Sequence, residues 1–271
     1  MKQHIPSRGT CAAAALSLLL ALSMAPARAQ PVPPVEDLVS DRPDATESAL
    51  AVPAGTWQLE AGVSWEESGD GETLQVPASL LRGGLTERLE LRLGWDGWLR
   101  HEAEGGETLE GAGDAELGLK LELLAEGRGR PALALLAATS LPVGEGGLTS
   151  HRADPSLLLA LARDFGDRVG LGVNAGVAWQ TEEDALGDRH TSAAGRYSVA
   201  AGFALGDRLG AFVEVFGEQP IDAGDGQASV DGGFTWLVRP LLQIDLAGGV
   251  GIHGPAPDRF LTAGIVVRWP R

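Results

Sequence analysis

Among the polar side chains of this 271-residue chain that stand between apolar or glycine neighbours, twelve are candidates for an inward, solute-facing position: Glu60, Glu90, Arg92, Glu116, Lys120, Glu122, Asn174, Glu214, Asp231, Gln243, Asp245 and Arg268. Carboxylates, amides and cations so placed can do two kinds of work. Ringing a water-filled passage, they form a charged constriction that selects solutes by sign. Facing one another on adjacent strands, as Arg92 would face Glu116 and Arg268 would face Glu60, they pair and hold a narrow barrel shut. Both readings stay open on the sequence. No strand carries a histidine beside a serine at a plausible nucleophile–base spacing, and Gly-x-Ser-x-Gly is absent. No enzyme is expected and no cofactor is called for. His101, His151, His190 and His253 fall in or near loops with no two at metal-ligand spacing, so they read as solvated residues rather than a metal site.

Positioning these side chains requires strands. Trp57-Gln58-Leu59-Glu60-Ala61-Gly62-Val63-Ser64-Trp65 has apolar odd positions and polar or glycine even ones, one greasy face and one wet face in an extended chain. The same alternation recurs over about 56–66, 72–82, 88–98, 113–124, 131–142, 154–164, 168–181, 194–205, 208–217, 228–238, 241–252 and 259–269, about twelve strands. Their outward faces are lipid-like, as in Leu89/Leu91/Leu93, Leu117/Leu119/Leu121/Leu123 and Leu242/Ile244/Leu246/Val250. The expected fold is all-β: a closed antiparallel transmembrane β-barrel of about 12 strands in the outer membrane of a Gram-negative cell, preceded by a cleaved N-terminal signal peptide.

Residues 1–29 carry the leader signature: Lys2 and Arg8, an apolar stretch over Cys11–Ala25, then Ala27-Arg28-Ala29. The leader has three basic and no acidic residues, so its loss takes the net charge from −16 to −19. Nucleic acid is thereby excluded as a partner, since binding it needs clustered Lys and Arg. The leader also contains the only cysteine, Cys11. Residues 30–55 are rich in Pro and acidic residues without a period, and read as a periplasmic arm; residues 56–271 are the barrel.

Turns and tryptophans agree with a membrane frame. Short Gly- or Pro-containing turns alternate with mostly longer acidic segments at Arg100–Ala112, Val143–Ala153, Glu182–Thr191 and Glu218–Gln227. Trp57, Trp236 and Trp269 gather at the lower rim, and Trp65, Trp95, Trp98, Trp179 and Tyr197 at the upper one, where an indole satisfies both its apolar ring and its N–H. Trp98 is the exception, because its parity points inward in an unbroken strand 88–98. The strands near 131–142 and 154–164 are apolar on both faces, which suits either an apolar solute or packing against the arm.

Asp41-Arg42-Pro43-Asp44-Ala45-Thr46-Glu47-Ser48-Ala49-Leu50, Val52-Pro53-Ala54-Gly55 and Gln58-Leu59-Glu60-Ala61-Gly62 resemble the opening of an outer-membrane transporter family linked to the phenol meta-cleavage degradation pathway. Gly84–Glu90, Gly113–Lys120 and Gln243-Ile244-Asp245 add to the resemblance. It implies a barrel with a transport role, often for aromatic or other hydrophobic compounds, and supplies no set of binding residues. The expected function is therefore a channel for passive passage of small, aromatic or hydrophobic solutes; the alternative is a structural or adhesive barrel without transport. Expected partners are the solute, outer-membrane lipid and lipopolysaccharide, and the barrel assembly machinery. The arm is the candidate plug: Asp41, Arg42 and Asp44 are too charged for lipid and are tethered by Val52–Gly55 to the first strand, so residues 38–50 are expected to fold against or into the periplasmic mouth, Arg42 meeting Glu60 or Glu90 and the aspartates Arg88, Arg92 or Arg268; the competing reading is a disordered periplasmic tail.

Overall fold

The computed structural model describes residues 38–183, 188–222 and 224–270; the expected leader and the first residues of the arm lie outside them. Fourteen ladder segments follow in chain order: β1 (Thr56–Ser68), β2 (Gly71–Gly84), β3 (Leu89–Trp95), β4 (Trp98–Ala103), β5 (Thr108–Ala112), β6 (Ala115–Leu124), β7 (Ala132–Leu141), β8 (Pro155–Phe165), β9 (Val169–Glu183), β10 (Arg189–Ala204), β11 (Leu209–Pro220), β12 (Gln227–Arg239), β13 (Leu242–His253) and β14 (Arg259–Pro270). All strand pairings are antiparallel, and β1 bonds both β2 and β14, so the sheet closes on itself, with only the short β5 lacking a second strand partner among the described residues. β2 pairs with β3 along its second half and with β4 along its first; β6 and β5 then pair with β3 and β4 in turn. The segments β3–β4 and β5–β6 are thus two interrupted strands, and the barrel has twelve. Closure is what permits a sheet in lipid, where an unpaired N–H or C=O has no water to bond.

The β3–β4 interruption lies beside Pro77 of β2, which has no N–H to give the ladder, and the β5–β6 interruption lies beside the β3–β4 one. Against β1 the pairing of β2 slips at Pro77 by one residue, from Gly62↔Ala78 to Ser64↔Gln75, and β3–β4 follows β2 across the same gap, from Ser79↔Trp95 to Val76↔Trp98. Gly97 takes φ 77°, and a side chain on it would strike the Pro77 carbonyl oxygen. Asp96 N donates to Asp114 O at 2.9 Å and Gly113 N to Gly97 O at 2.8 Å, so the wall stays bonded through the irregularity. An inserted residue reverses the facing of everything beyond it. Trp98 is 46% exposed on the outer face, which corrects the inward parity of a continuous strand. The same slip runs through β2: Leu74 and Val76 face out above Pro77, whereas Arg82 and Gly84 are buried facing in below it.

Two expected loops contain ladder: the first is mostly strand, and strand reaches into the described ends of the second. Residues 98–112 form the β4–β5 hairpin, which turns at 104–107, and β9 and β10 extend to Glu183 and from Arg189. Their charges misled because polar strand ends continue beyond the lipid, where outward-pointing acids and arginines are solvated. The long loop at the upper rim is 142–154. Lower on the outside, Leu117, Leu119, Leu121 and Leu123 are exposed in a row, as a lipid-facing band requires. At the upper rim Trp65 Nε1 donates to Glu72 at 3.1 Å, and the Arg259 guanidinium stacks 5.5 Å from its ring centre.

Candidate functional site

Residues 38–55 lie inside the barrel and follow its inner wall almost once around. The path can be read from the partners. Val39 O accepts from Gln58 Nε2 of β1 (2.9 Å), and Ser40 Oγ from Gln243 Nε2 of β13 (3.0 Å). Arg42 Nη2 reaches Asp245 on β13 (3.1 Å) and Thr262 Oγ1 on β14 (2.9 Å). Ala45 N donates to Glu214 of β11 (2.7 Å), and the Thr46 hydroxyl bonds Glu214 as well as Ser198 of β10 (2.7 Å). Asn174 of β9 takes both backbone groups of Glu47, accepting its N–H at 2.7 Å and donating to its C=O at 3.0 Å. Ala49 packs on Ala132, Ala134 and Leu136 of β7 and Ala160 of β8. Ala51 N donates to Glu122 of β6 (2.6 Å), Val52 N to Glu90 of β3 (2.7 Å), and Gly55 N to Gly84 O of β2 (2.8 Å).

A segment with no ladder of its own still has to satisfy its backbone amides once buried. Glu60, Glu90, Glu122 and Glu214 do this, accepting the N–H groups of Asp41, Val52, Ala51 and Ala45. Bonds to an ionised acceptor are about twice as strong as neutral ones. The inward carboxylates therefore serve the arm rather than cross-strand pairing alone. The doubly apolar strands β7 and β8 likewise form the seat of Ala49.

Asp41 holds the charged centre. Its carboxylate accepts from Lys120 Nζ (2.9 Å), Arg92 Nη1 (2.6 Å) and Arg82 Nη1 (3.0 Å), and from Ser48 N (2.9 Å). Arg82 is clamped by Glu90 (2.8 Å) and Glu60 (2.9 Å), and Arg92 grips Glu47 with two bonds of 2.8 Å. Burial alone would raise the pKa of Asp41, but Arg82, Lys120 and Arg92 outweigh it and hold the carboxyl well below the ordinary range. Glu47 is pushed up to about 7, by burial first and by the charge of Asp41, against the pull of Arg92 and Lys120. Asp44 is raised well above its usual value by burial and by Glu214.

Several expected partners are corrected here. Arg42 meets Asp245 rather than Glu60 or Glu90, because Gly62 and Gly264 leave a slot for its guanidinium that any Cβ would fill. Asp41 meets Arg92, but also Lys120 and Arg82, while Arg88 is exposed in the turn after β2. Asp44 faces acids, not a cation. Arg92 turns to the arm instead of Glu116, which is exposed in the upper lumen. Arg268 donates from Nε to its register partner Gln58 (2.8 Å) and from Nη2 to Val39 O (3.4 Å). Asp231 is buried opposite Glu214 on the neighbouring strand, with Oδ1 unbonded. Arg82, the central clamp, is absent from the residues picked out by parity because the slip at Pro77 reverses it. The switch from even to odd outward apolar positions across Pro77 is the signal that could have found it.

Between the arm and the upper rim lies a cavity of about 350 Å³, walled by Leu158, Phe216, Pro257 and Arg196 and floored by Ala45 and Glu47. Phe216 and Phe260 meet edge-on, centroids 5.9 Å apart. Among the described residues no group of three His, Cys, Asp or Glu is placed to hold a metal ion.

A closed twelve-stranded barrel with a lipid-facing apolar band and a polar interior defines an outer-membrane channel-type barrel. The chain belongs to the family described as "Putative MetA-pathway of phenol degradation", whose model matches residues 40–269. No curated protein matches the sequence. Among solved structures, it is similar to the COG4313 outer membrane channel from Pseudomonas putida F1, at 13% identity and a TM-score of 0.66 over 82% of this chain and 98% of that one. It is also similar to the NanC porin, at 7% identity and a TM-score of 0.55 over 77% and 98% of the two chains. At these identities the likeness is one of fold.

Proposed function

We propose that this protein is a passive outer-membrane channel for small aromatic or hydrophobic solutes, and that the arm is its plug. The observation that carries the reading is the division of the lumen, with an aromatic-lined cavity above and a hydrogen-bonded arm across the passage below. Twelve strands give a backbone diameter of about 24 Å, leaving about 10 Å inside the side chains, a width that one coil of chain fills. The family's link to phenol degradation supports an aromatic solute. On this reading the arm enters from the periplasmic side, and the protein is a conduit rather than a catalyst. Its other partners are outer-membrane lipid and lipopolysaccharide, with the barrel assembly machinery acting during insertion.

Deleting residues 30–50 while keeping β1 tests both halves of the proposal in planar bilayers. Conductance should rise well above that of the full chain. A correctly assembled deletion variant with unchanged conductance removes the plug. A variant that stays silent removes the channel and leaves the structural or adhesive alternative.

A further inference from the structure

We propose that the cavity above the arm binds a single-ring solute that is neutral or cationic, and that the lumen above it turns away aromatic carboxylates. Resting on the channel reading, this names the class of solute that the channel accepts. The volume of about 350 Å³ falls at the small end of ligand sites, enough for one ring with a short substituent. Leu158, Phe216 and Pro257 supply its apolar wall, and Phe216 is held in place by its 71° edge contact with Phe260.

Charge is decided by what Arg196 is doing. It is the one basic residue lining the cavity, and its Nε already donates to Glu218 at 2.7 Å. A solute carboxylate would have to share the guanidinium with Glu218, whose charge already offsets that of Arg196 and repels a second carboxylate. Arg196 also borders the space nearer the rim, of about 300 Å³, with Asp96, Asp114, Glu116 and Asp154 around it. Asp114 accepts the N–H groups of Gly144 (2.8 Å) and Ser150 (3.3 Å), and Asp154 accepts from Thr181 N (2.9 Å) and Oγ1 (2.7 Å). Among the described residues none of these four acids has an arginine or lysine at ion-pair distance, and together they outnumber Arg196 in the lining of that space. Narrow clefts lined by one sign of charge focus the field and change local concentrations by tenfold or more. A hydroxyl or ammonium group is not opposed: it is a donor entering a space of acceptors.

Benzyl alcohol, benzylamine and benzoate share a ring and differ in charge at pH 7. Their equilibrium binding to the full detergent-solubilised chain, with empty micelles as blank, tests the proposal. Benzylamine and benzyl alcohol should bind at least about tenfold tighter than benzoate at low salt, and high salt should narrow the gap for the charged probes. Glu218→Gln should free Arg196 and tighten benzoate about tenfold while changing benzyl alcohol little. Glu116→Gln, at an exposed and unpaired position, should tighten benzoate several-fold without touching the cavity. Phe216→Ala should weaken all three. Benzoate binding as tightly as benzyl alcohol, indifference of benzoate to both acid substitutions, or no binding of any probe overturns the proposal. Binding in the stated order by a barrel that conducts nothing sinks the channel reading and leaves the site standing.

Discussion

Replacing Asp41 with asparagine removes one negative charge from a buried cluster and leaves its volume unchanged. Lys120, Arg92 and Arg82 each lose their bond to a carboxylate at 2.6–3.0 Å, and keep only Glu47, Glu60 and Glu90 between them. Removing one partner from a buried ion pair costs about 3–5 kcal/mol. The asparagine carbonyl still accepts one hydrogen bond, so the lower end applies, and about 3 kcal/mol lowers the ratio of seated to unseated arm by about 100-fold. A cysteine at Ala49 reports that ratio. The alanine is 1% exposed against β7 and β8, so a thiol there reacts only when the arm leaves its seat. The sole native cysteine, Cys11, is removed by C11S. In the C11S/A49C background, D41N should speed thiol labelling by about two orders of magnitude, with the heat-modifiable gel shift of the folded barrel retained. Labelling within twofold of the parent, in a folded barrel, refutes the idea that Asp41 anchors the arm.

The other predictions concern pH, one amide and one glycine. Asp44 and Glu47 both have raised values in the seated state, so their contribution to seating is complete below the ordinary carboxylate pKa and is lost as pH rises, through about 7 for Glu47 and through its raised value for Asp44. Channel conductance should accordingly be higher at pH 8 than at pH 5, and Asp44→Asn should flatten the change; Asp41, held low, contributes in the opposite sense and loses its hold only in strong acid. Asn174→Ala removes both bonds to the Glu47 backbone, at a cost of about 1–3 kcal/mol, and should raise A49C labelling by about tenfold or more. Gly97→Ala places a side chain at φ 77° against the Pro77 carbonyl, and should lower the unfolding midpoint of the barrel by gel shift while leaving arm labelling unchanged.

All twelve strands were legible in the sequence, because a strand between lipid and a polar lumen alternates with period two, and that period runs through most of the segments from Thr56 to Trp269, with β7 and β8 apolar on both faces. The inward side chains were legible for the same reason wherever parity ran unbroken. It failed at Trp98 and Arg82, on either side of the irregularity at Pro77 and Gly97, since one inserted residue reverses the facing of all that follow. The charge of the arm made lipid an impossible environment for it, but not its route. With no period of its own, the arm takes its path from groups 19 to 229 residues away in sequence, such as Glu60 for Asp41, Glu90 for Val52 and Arg268 for Val39. Whether Arg42 finds Asp245 or Glu60 depends on distances across the lumen, and those exist only once the barrel has closed and brought β1 against β14. Local alternation is written into each strand; the pairing of charges across the lumen is set by closure, which no stretch of sequence contains.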